Sequence, residues 1–443
     1  MYLLGVLVIA VGVAVSIALH EIGHLVPAKR FGVKCTQYMV GFGPTVWSRH
    51  KGEAEYGFKA IPLGGYVRMV GMFPPKPGRP ARADTTGRWA LMIDQARRDA
   101  QREVGPEDGD RLFYTRSVPK RLVIMLGGPT MNLLIAIVLL TFIVTTFGLV
   151  GETPRLSQVS QCVLPATAPP NATCTLSDPR APAAAAGLQP GDVIVSFNGQ
   201  PVSTWEQVRN EIRRSGEKAV VLGVDRYGHH MDVRVTPVTA TRAALDAKGN
   251  PVLHPDGTPV VERVGFLGVS PSEALVPQPL STVPGILGGL LAQTAGVVVR
   301  IPEKMVGVAQ AAFGNGPRDP TGPVSIVGIG RFAGEVASSQ GSSALPVTMS
   351  DRFAQLLSLI ASLNLALFVF NLIPLLPLDG GHVAGALWEG TRRSFARLRH
   401  RPDPGPVDVA RALPLAYGVA TVLIGMSVLL IYADIVHPIQ LGG

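Results

Sequence analysis

The pentapeptide His20-Glu21-Ile22-Gly23-His24 carries the clearest chemical content in the chain. On an α-helix, positions i and i+4 lie roughly 40° apart around the axis, so both imidazoles project from one face and can share a metal ion. Glu21, beside the first ligand, can reach a water on that ion without binding the ion itself. The set reads as two zinc ligands and a general base. Catalytic zinc needs a third protein ligand and one open position. The acidic candidate at the end of another apolar stretch is Asp379, in Asn371-Leu-Ile-Pro-Leu-Leu-Pro-Leu-Asp379-Gly-Gly-His382. His382 is the rival, but a histidine just beyond a helix is more often a cap or a surface residue. The expected metal set is therefore His20, His24 and Asp379, with Glu21 as the catalytic base.

What must position these groups is a membrane. Of the 443 residues only 16% are charged, and the mean hydropathy is positive at +0.29. That excludes a disordered chain and a compact cytosolic enzyme. Apolar stretches run over 1–19, 122–150 and 412–436, and a fourth over 353–378 carries Asn364 and Asn371. Each is long enough for roughly 30 Å of hydrocarbon. The first lacks a basic start, and Lys29, Arg30 and Lys34 follow it, which predicts a retained helix with its C-terminal end at the cytoplasm. Arg116, Lys120 and Arg121 precede the second, and six arginines between 392 and 411 precede the last. The +9 net charge is thus the positive-inside bias, and nucleic acid is not expected as a partner. By this topology His20, His24 and Asp379 fall at one depth near the cytoplasmic side. Residues 283–301, with Pro284, Gln293, Thr294 and four glycines, are read as an extracytoplasmic amphipathic segment rather than a crossing.

Further motifs accompany the metal set: Gly41-Phe-Gly-Pro44, Pro62-Leu-Gly-Gly-Tyr-Val-Arg68, Gly128-Pro129-Thr-Met-Asn132, Asn371-x-x-Pro374 and Leu378-Asp379-Gly380. Together they make the chain resemble the site-2 proteases, intramembrane zinc metalloproteases of the bacterial regulator-of-sigma type, in the actinobacterial form with a single PDZ domain. The resemblance implies an α-helical multi-pass protein of about four transmembrane helices, with a cytoplasmic re-entrant β-hairpin and an inserted extracytoplasmic PDZ domain of α+β type. The expected segments are a helix at 1–26, a cytoplasmic loop at 27–118 and a helix at 119–150. The PDZ domain follows at 153–272, circularly permuted, then an amphipathic stretch at 273–352. A helix at 353–382, a cytoplasmic loop at 383–410 and a helix at 411–436 complete the chain.

The resemblance also implies Zn²⁺ as cofactor and the bacterial cytoplasmic membrane as location. The expected substrates are single-span membrane proteins of the anti-sigma-factor kind, cut after a site-1 cleavage. It assigns Asn371 to substrate or oxyanion; a helix–helix hydrogen bond is the plainer role. Gly64, Gly65 and Tyr66 would offer a strand to an unwound substrate, against the alternative of a plain surface hairpin. Asn132 is read as helix packing with a polar partner, not as catalytic. Pro374 and Pro377 predict a local break in the backbone. Cys162 and Cys174 lie outside, where a disulfide is permitted; Cys35 is read as an inert thiol. The competing readings are a catalytically inactive membrane PDZ scaffold that binds C-termini, and a metal transporter.

Overall fold

The structure, a computed structural model, describes residues 1–74, 88–165, 173–175, 177–246, 251–254, 258–314, 318–319, 322–338, 341–342, 345–346 and 348–439. It forms two compact units, Met1–Thr145 with Pro279–Gly443, and Thr146–Gln278. The first begins with α1 (Tyr2–Arg30), whose apolar residues point outward while a row of small ones faces its neighbours. A hairpin of β1 (Cys35–Lys51) and β2 (Ala54–Met69) follows, then α2 (Arg88–Arg102) and α3 (Val118–Phe142). The hairpin doubles back on itself, so that Val40 faces both Gly65 and Phe58 and residues 65–69 form an edge. Gly64 makes this bend possible: its φ of +109° is open to glycine and strained for other residues. A buried aspartate, Asp108, accepts from Lys34 Nζ at 2.8 and 3.1 Å and holds the hairpin base to the segment before α3.

The second unit is a sheet with one helix across it. Its strands are β3 (Leu149–Val159), β4 (Val193–Phe197), β5 (Gln200–Pro201), β6 (Val220–Arg226), β7 (His229–Val235) and β10 (Val269–Val276). They run in the order β10-β3-β4-β6-β7, with β5 on β4, and β8 (Val238–Ala243) pairs separately with β9 (Val261–Phe266). A short α4 (Pro182–Ala185) and α5 (Trp205–Arg214) close the core, with Trp205, Val208 and Ile212 packed on Ile194, Leu222 and Leu267. α5 starts with a capping box of Thr204 and Gln207. The Asn198-Gly199 turn, both residues at positive φ, joins β4 to β5. β3 and β10 pair Leu149 with Val276, so the two ends of this unit lie side by side. Cys162 and Cys174 are joined by a disulfide.

The chain re-enters the first unit with α6 (Val283–Val299), α7 (Ile301–Phe313), α8 (Ile326–Ser338), α9 (Met349–Asn371), α10 (Asp379–Leu398) and α11 (Leu413–Val436). Among the described residues five helical stretches are long and apolar enough to cross a membrane, one more than the four expected, the addition being Leu280–Val299. By length and composition this stretch is compatible with a crossing, where the sequence reads as an amphipathic segment. The Thr294 hydroxyl donates to Leu290 O within the helix (2.7 Å). α7 and α8 then pack at the end of the bundle where α1 begins and α11 ends. Val308 and Ala312 meet Ala433, the Ser325 N–H donates to Asp434 (2.6 Å), and Gly5 of α1 lies against Ala333 and Ala337. The chain thus returns to that end after α6.

A second departure concerns 353–382, expected as one helix. α9 stops at Asn371, a turn containing Pro374 and Pro377 intervenes, and Asp379 opens α10, which runs through most of the stretch expected as a loop. Proline cannot continue the i to i−4 ladder, and two of them in four residues enforce the stop.

The three helices around His20 and His24 are fixed by small residues and buried polar bonds. α1 and α9 run parallel: Ile9 packs with Leu356 and Ile360, Gly12 meets Ile360, and Asn364 Nδ2 donates to Ser16 Oγ (2.9 Å). α3 is antiparallel to α1, with Gly127 against Gly23 so closely that no Cβ fits at either position. Such small-residue contacts let helix backbones approach where no hydrophobic effect drives them together. α10 is clamped to the start of α3 by a buried ion pair of Arg121 with Glu389; Glu389 also accepts from Arg393 (3.1 Å) and the Val407 N–H (2.9 Å).

Candidate metal centre

Each of the three expected ligands reaches the centre from its own structural cause. His20 and His24 share a face of α1 by helical period. Asp379 arrives as the first residue of α10, where the free N–H groups of a helix start favour a carboxylate. The resulting geometry is tight. His20 Nε2 and His24 Nε2 lie 3.3 and 3.2 Å from Asp379 Oδ2 and 3.3 Å from each other. Bonds of about 2.0 Å to a tetrahedral zinc place neighbouring ligand atoms about 3.3 Å apart, which is the triangle observed. Asp379 Oδ2 is buried without a hydrogen-bond partner, a costly state for a carboxylate oxygen unless a cation sits beside it. The donor set therefore fits Zn²⁺.

The ring orientations are set from behind. His24 Nδ1–H donates to Ile124 O of α3 at 2.8 Å, which fixes the tautomer and leaves the Nε2 lone pair facing Asp379. His20 Nδ1 lies 3.0 Å from the Asn132 side-chain amide. The amide nitrogen faces the ring; exchanging it with the amide oxygen, which has the same shape, lets Nδ1–H donate to Oδ1 and gives His20 the same tautomer. Asn132 is fully buried and its remaining polar atom has no other partner, so the polar partner of this asparagine is a histidine of the metal set. The expected polar partner is present; that it is His20 was not expected. The signal available was Asn132 four residues after Gly128 on a helix, and Gly128 packs on the same two rings: a Cβ there would overlap His24 Nε2 and stand 2.7 Å from His20 Nε2.

Glu21 is buried beside this triangle and faces the hairpin. A Cβ on Gly65 would lie 2.8 Å from Glu21 Cγ and 3.2 Å from its Oε1, so strand and carboxylate meet only because residue 65 has no side chain. Tyr38 ties the hairpin to α1 by donating its hydroxyl to Ala18 O (2.9 Å). Burial and the neighbouring Glu21 and Tyr56 push the Tyr38 phenol up to about 12, which keeps it a donor. The Tyr66 ring stacks on Phe42, and Gly64 backs onto the same ring. Asn371 ends α9 half-buried. His382 lies outside the donor cluster and lines a small cavity with Arg121 and Glu389. Cys35 is buried, and its thiol is pushed up to about 11 by that burial, which makes it unreactive.

A helical bundle holding an H-E-x-x-H helix and a distant aspartate in one triangle defines a membrane-embedded metallopeptidase class. Residues 8–401 match the model of peptidase family M50, nearly the whole chain, and the protein belongs to that family. It is 32% identical to the zinc metalloprotease Rip1 of Mycobacterium tuberculosis, over all of this chain and 99% of the relative. The Rip1 of Mycolicibacterium smegmatis is 31% identical at the same coverage. The zinc metalloprotease RasP of Geobacillus kaustophilus is 25% identical over 82% of this chain and 84% of its own.

Proposed function

We propose that this protein is an intramembrane zinc endopeptidase that makes the second cut in regulated intramembrane proteolysis. Its substrates are single-span membrane proteins of the anti-sigma-factor kind whose outer part has already been removed. The observation that carries the reading is the 3.2–3.3 Å triangle of His20, His24 and Asp379 beside a buried Glu21. Zn²⁺, when bound there, supplies Lewis acidity to the scissile carbonyl and to water. Glu21 takes the proton of the attacking water and returns it to the leaving amine. Asn132 and Ile124 O hold the two imidazole rings in place. A transmembrane substrate hides its amides in its own helix, so it must unwind before attack; Gly64, Gly65 and Tyr66 offer the freed backbone a strand at Glu21. Asn371 steadies substrate at the break between α9 and α10.

The protein lies in the cytoplasmic membrane with the metal site near the cytoplasmic side, supported by Lys29, Arg30, Lys120, Arg121 and the 392–401 arginines at that end. The sheet unit is an extracytoplasmic PDZ domain. Its edge strand β10 is the element through which such domains take an extended chain, and there it gates access for untrimmed substrates. The test is Glu21→Gln in the native membrane. The variant retains stoichiometric zinc and accumulates trimmed single-span stubs by quantitative proteomics. Equal stub levels in the two strains would exclude the proteolytic reading and favour a catalytically silent scaffold.

A further inference from the structure

Beyond the end of β3 the chain forms a short ladder with its own return. The Val163 N–H donates to Pro179 O (2.8 Å), the Ala181 N–H donates to Gln161 O (3.0 Å), and Cys162 pairs with Arg180 between them. The Cys162–Cys174 bond clips this ladder across a separation of 12 residues. Beside Cys174, the Thr175 N–H and hydroxyl both donate to the Asp178 carboxylate (2.7 and 2.8 Å), which ties the second cysteine to the returning row.

Both rows of the ladder carry the loop that leads into the edge strand β10. The Ser160 N–H donates to Gly268 O (2.8 Å) and the Ala183 N–H to Leu267 O (2.9 Å). Gly268 turns with φ of +86°, and a Cβ on it would stand 2.9 Å from the Ala181 methyl. A further tie comes from β8, where Arg242 donates to Leu164 O (3.1 Å) while its guanidinium lies 4.0 Å over the Phe266 ring. These holds on residues 266–268 all pass through 160–164 or 181–183, the two segments that the disulfide keeps together. The core of the unit is built without it: Leu267 packs with Leu156, Ile194 and Leu222, and neither cysteine belongs to that cluster. The two sulfurs also differ in access, since Cys162 is 5% exposed and Cys174 is an exposed residue.

We infer that Cys162–Cys174 is a thiol–disulfide exchange site whose state sets the order of the entry to β10. The co-reactant is a dithiol protein of the thioredoxin class on the same side of the membrane. Its thiolate attacks Sγ of exposed Cys174, the S–S bond breaks, and Cys162 leaves as a thiolate that takes up a proton. The partner's second thiolate then attacks the mixed disulfide and Cys174 is released as a thiol. The partner keeps the disulfide, so two electrons and two protons pass to this chain. Once the bond is open, the few hydrogen bonds at the base of the ladder must close the whole excursion from 164 to 178, which costs loop entropy. The ladder frays, Leu164 O leaves Arg242, and the carbonyls of Leu267 and Gly268 lose fixed donors. β10 pairs on one side only, with β3, so its first residues lose order while the core stays packed. The use of this exchange to control access rests on the proposed gating by β10; the exchange site itself does not.

The test uses the full-length protein in lipid nanodiscs, dithiothreitol as reductant, and as trap a thioredoxin whose second active-site cysteine is replaced by serine. In the folded protein the reductant opens the bond, and mass-tagging finds new thiols at Cys162 and Cys174 with buried Cys35 unlabelled. The trap is held through Cys174. Hydrogen exchange of the Ser160, Val163, Ala181 and Ala183 amides then quickens by roughly tenfold or more, while β4 and β6 keep their rates. Cys162→Ser combined with Cys174→Ser shows that exchange pattern without reductant and does not respond to it. A bond that opens only in denaturant, or a trap held through Cys162, would overturn the exchange site. Unchanged exchange at Ser160 and Ala183 would overturn the control of β10, and so would faster exchange throughout β4 and β6, the mark of a staple for the whole unit. Access is read separately, in enzyme that cuts a trimmed single-span probe: reduction raises cleavage of an untrimmed probe relative to the trimmed one by about fivefold or more. An equal ratio beside the expected exchange pattern counts against gating by β10 and leaves the exchange site standing.

Discussion

Gly128→Ala tests the metal centre without touching a ligand. The added methyl would overlap His24 Nε2 and stand 2.7 Å from His20 Nε2, about 1 Å inside ordinary contact. Retreat of α3 would pull Gly127 out of its main-chain contact with Gly23 and Ile124 O away from His24 Nδ1. The rings must therefore move, by roughly 1 Å where zinc sites tolerate deviations of about 0.2 Å. Disturbing groups that merely orient ligands costs about 10–100-fold in metal affinity. Displacing both imidazoles should cost at least the upper figure, or about 2.7 kcal/mol. The assay is chelator competition with metal analysis on nanodisc-embedded protein, which needs no substrate. Gly425→Ala serves as the control: it makes the same change on α11, where nothing lies within 4 Å of the new methyl. Zinc affinity in Gly128→Ala within threefold of the unaltered protein would show that the rings do not sit against α3 as described.

Three other outcomes follow from the packing. Asn364→Leu removes the bond to Ser16 and should loosen α9 from α1 by about 0.6 kcal/mol, up to ~1.7, in denaturant titrations within bicelles; no change would mean the bond is not formed in lipid. Glu389→Ala strands buried Arg121 and should cost about 3–5 kcal/mol in the same titration, whereas a surface-like loss under 1 kcal/mol would contradict its burial. In the sheet unit, burial pushes the Asp192 carboxyl up, but bonds from Arg226 and the Gln189 N–H outweigh it and hold the group below the usual carboxylate range. The folded-state value being the lower, this stabilisation is complete above the unfolded value near 3.9 and is lost as pH falls through the folded one. Hydrogen exchange of β4 and β6 amides should accelerate below about pH 4, and Asp192→Asn should flatten that response.

Much of the metal centre was legible in the chain because its information is local or periodic. The i, i+4 spacing puts His20 and His24 on one side of any helix, and apolar run lengths with flanking arginines align the ends of α1 and α9. Pro374 and Pro377 announce a break in any environment, though not that Asp379 would open a new helix. What periodicity cannot carry is contact between residues a hundred positions apart. That Asn132 faces His20, that Gly128 leaves room for both rings, and that Gly65 lets a strand reach Glu21 depend on which helices lie side by side and at what separation. Leu280–Val299 reads as amphipathic because its polar residues count against a span by composition, while the bond from Thr294 to Leu290 O satisfies one of them inside the helix. Residue types and intervals determined the chemistry this protein can perform. Helix packing alone decided the orientation, burial and access of the groups that perform it, because those depend on distances between segments that the order of residues does not encode locally.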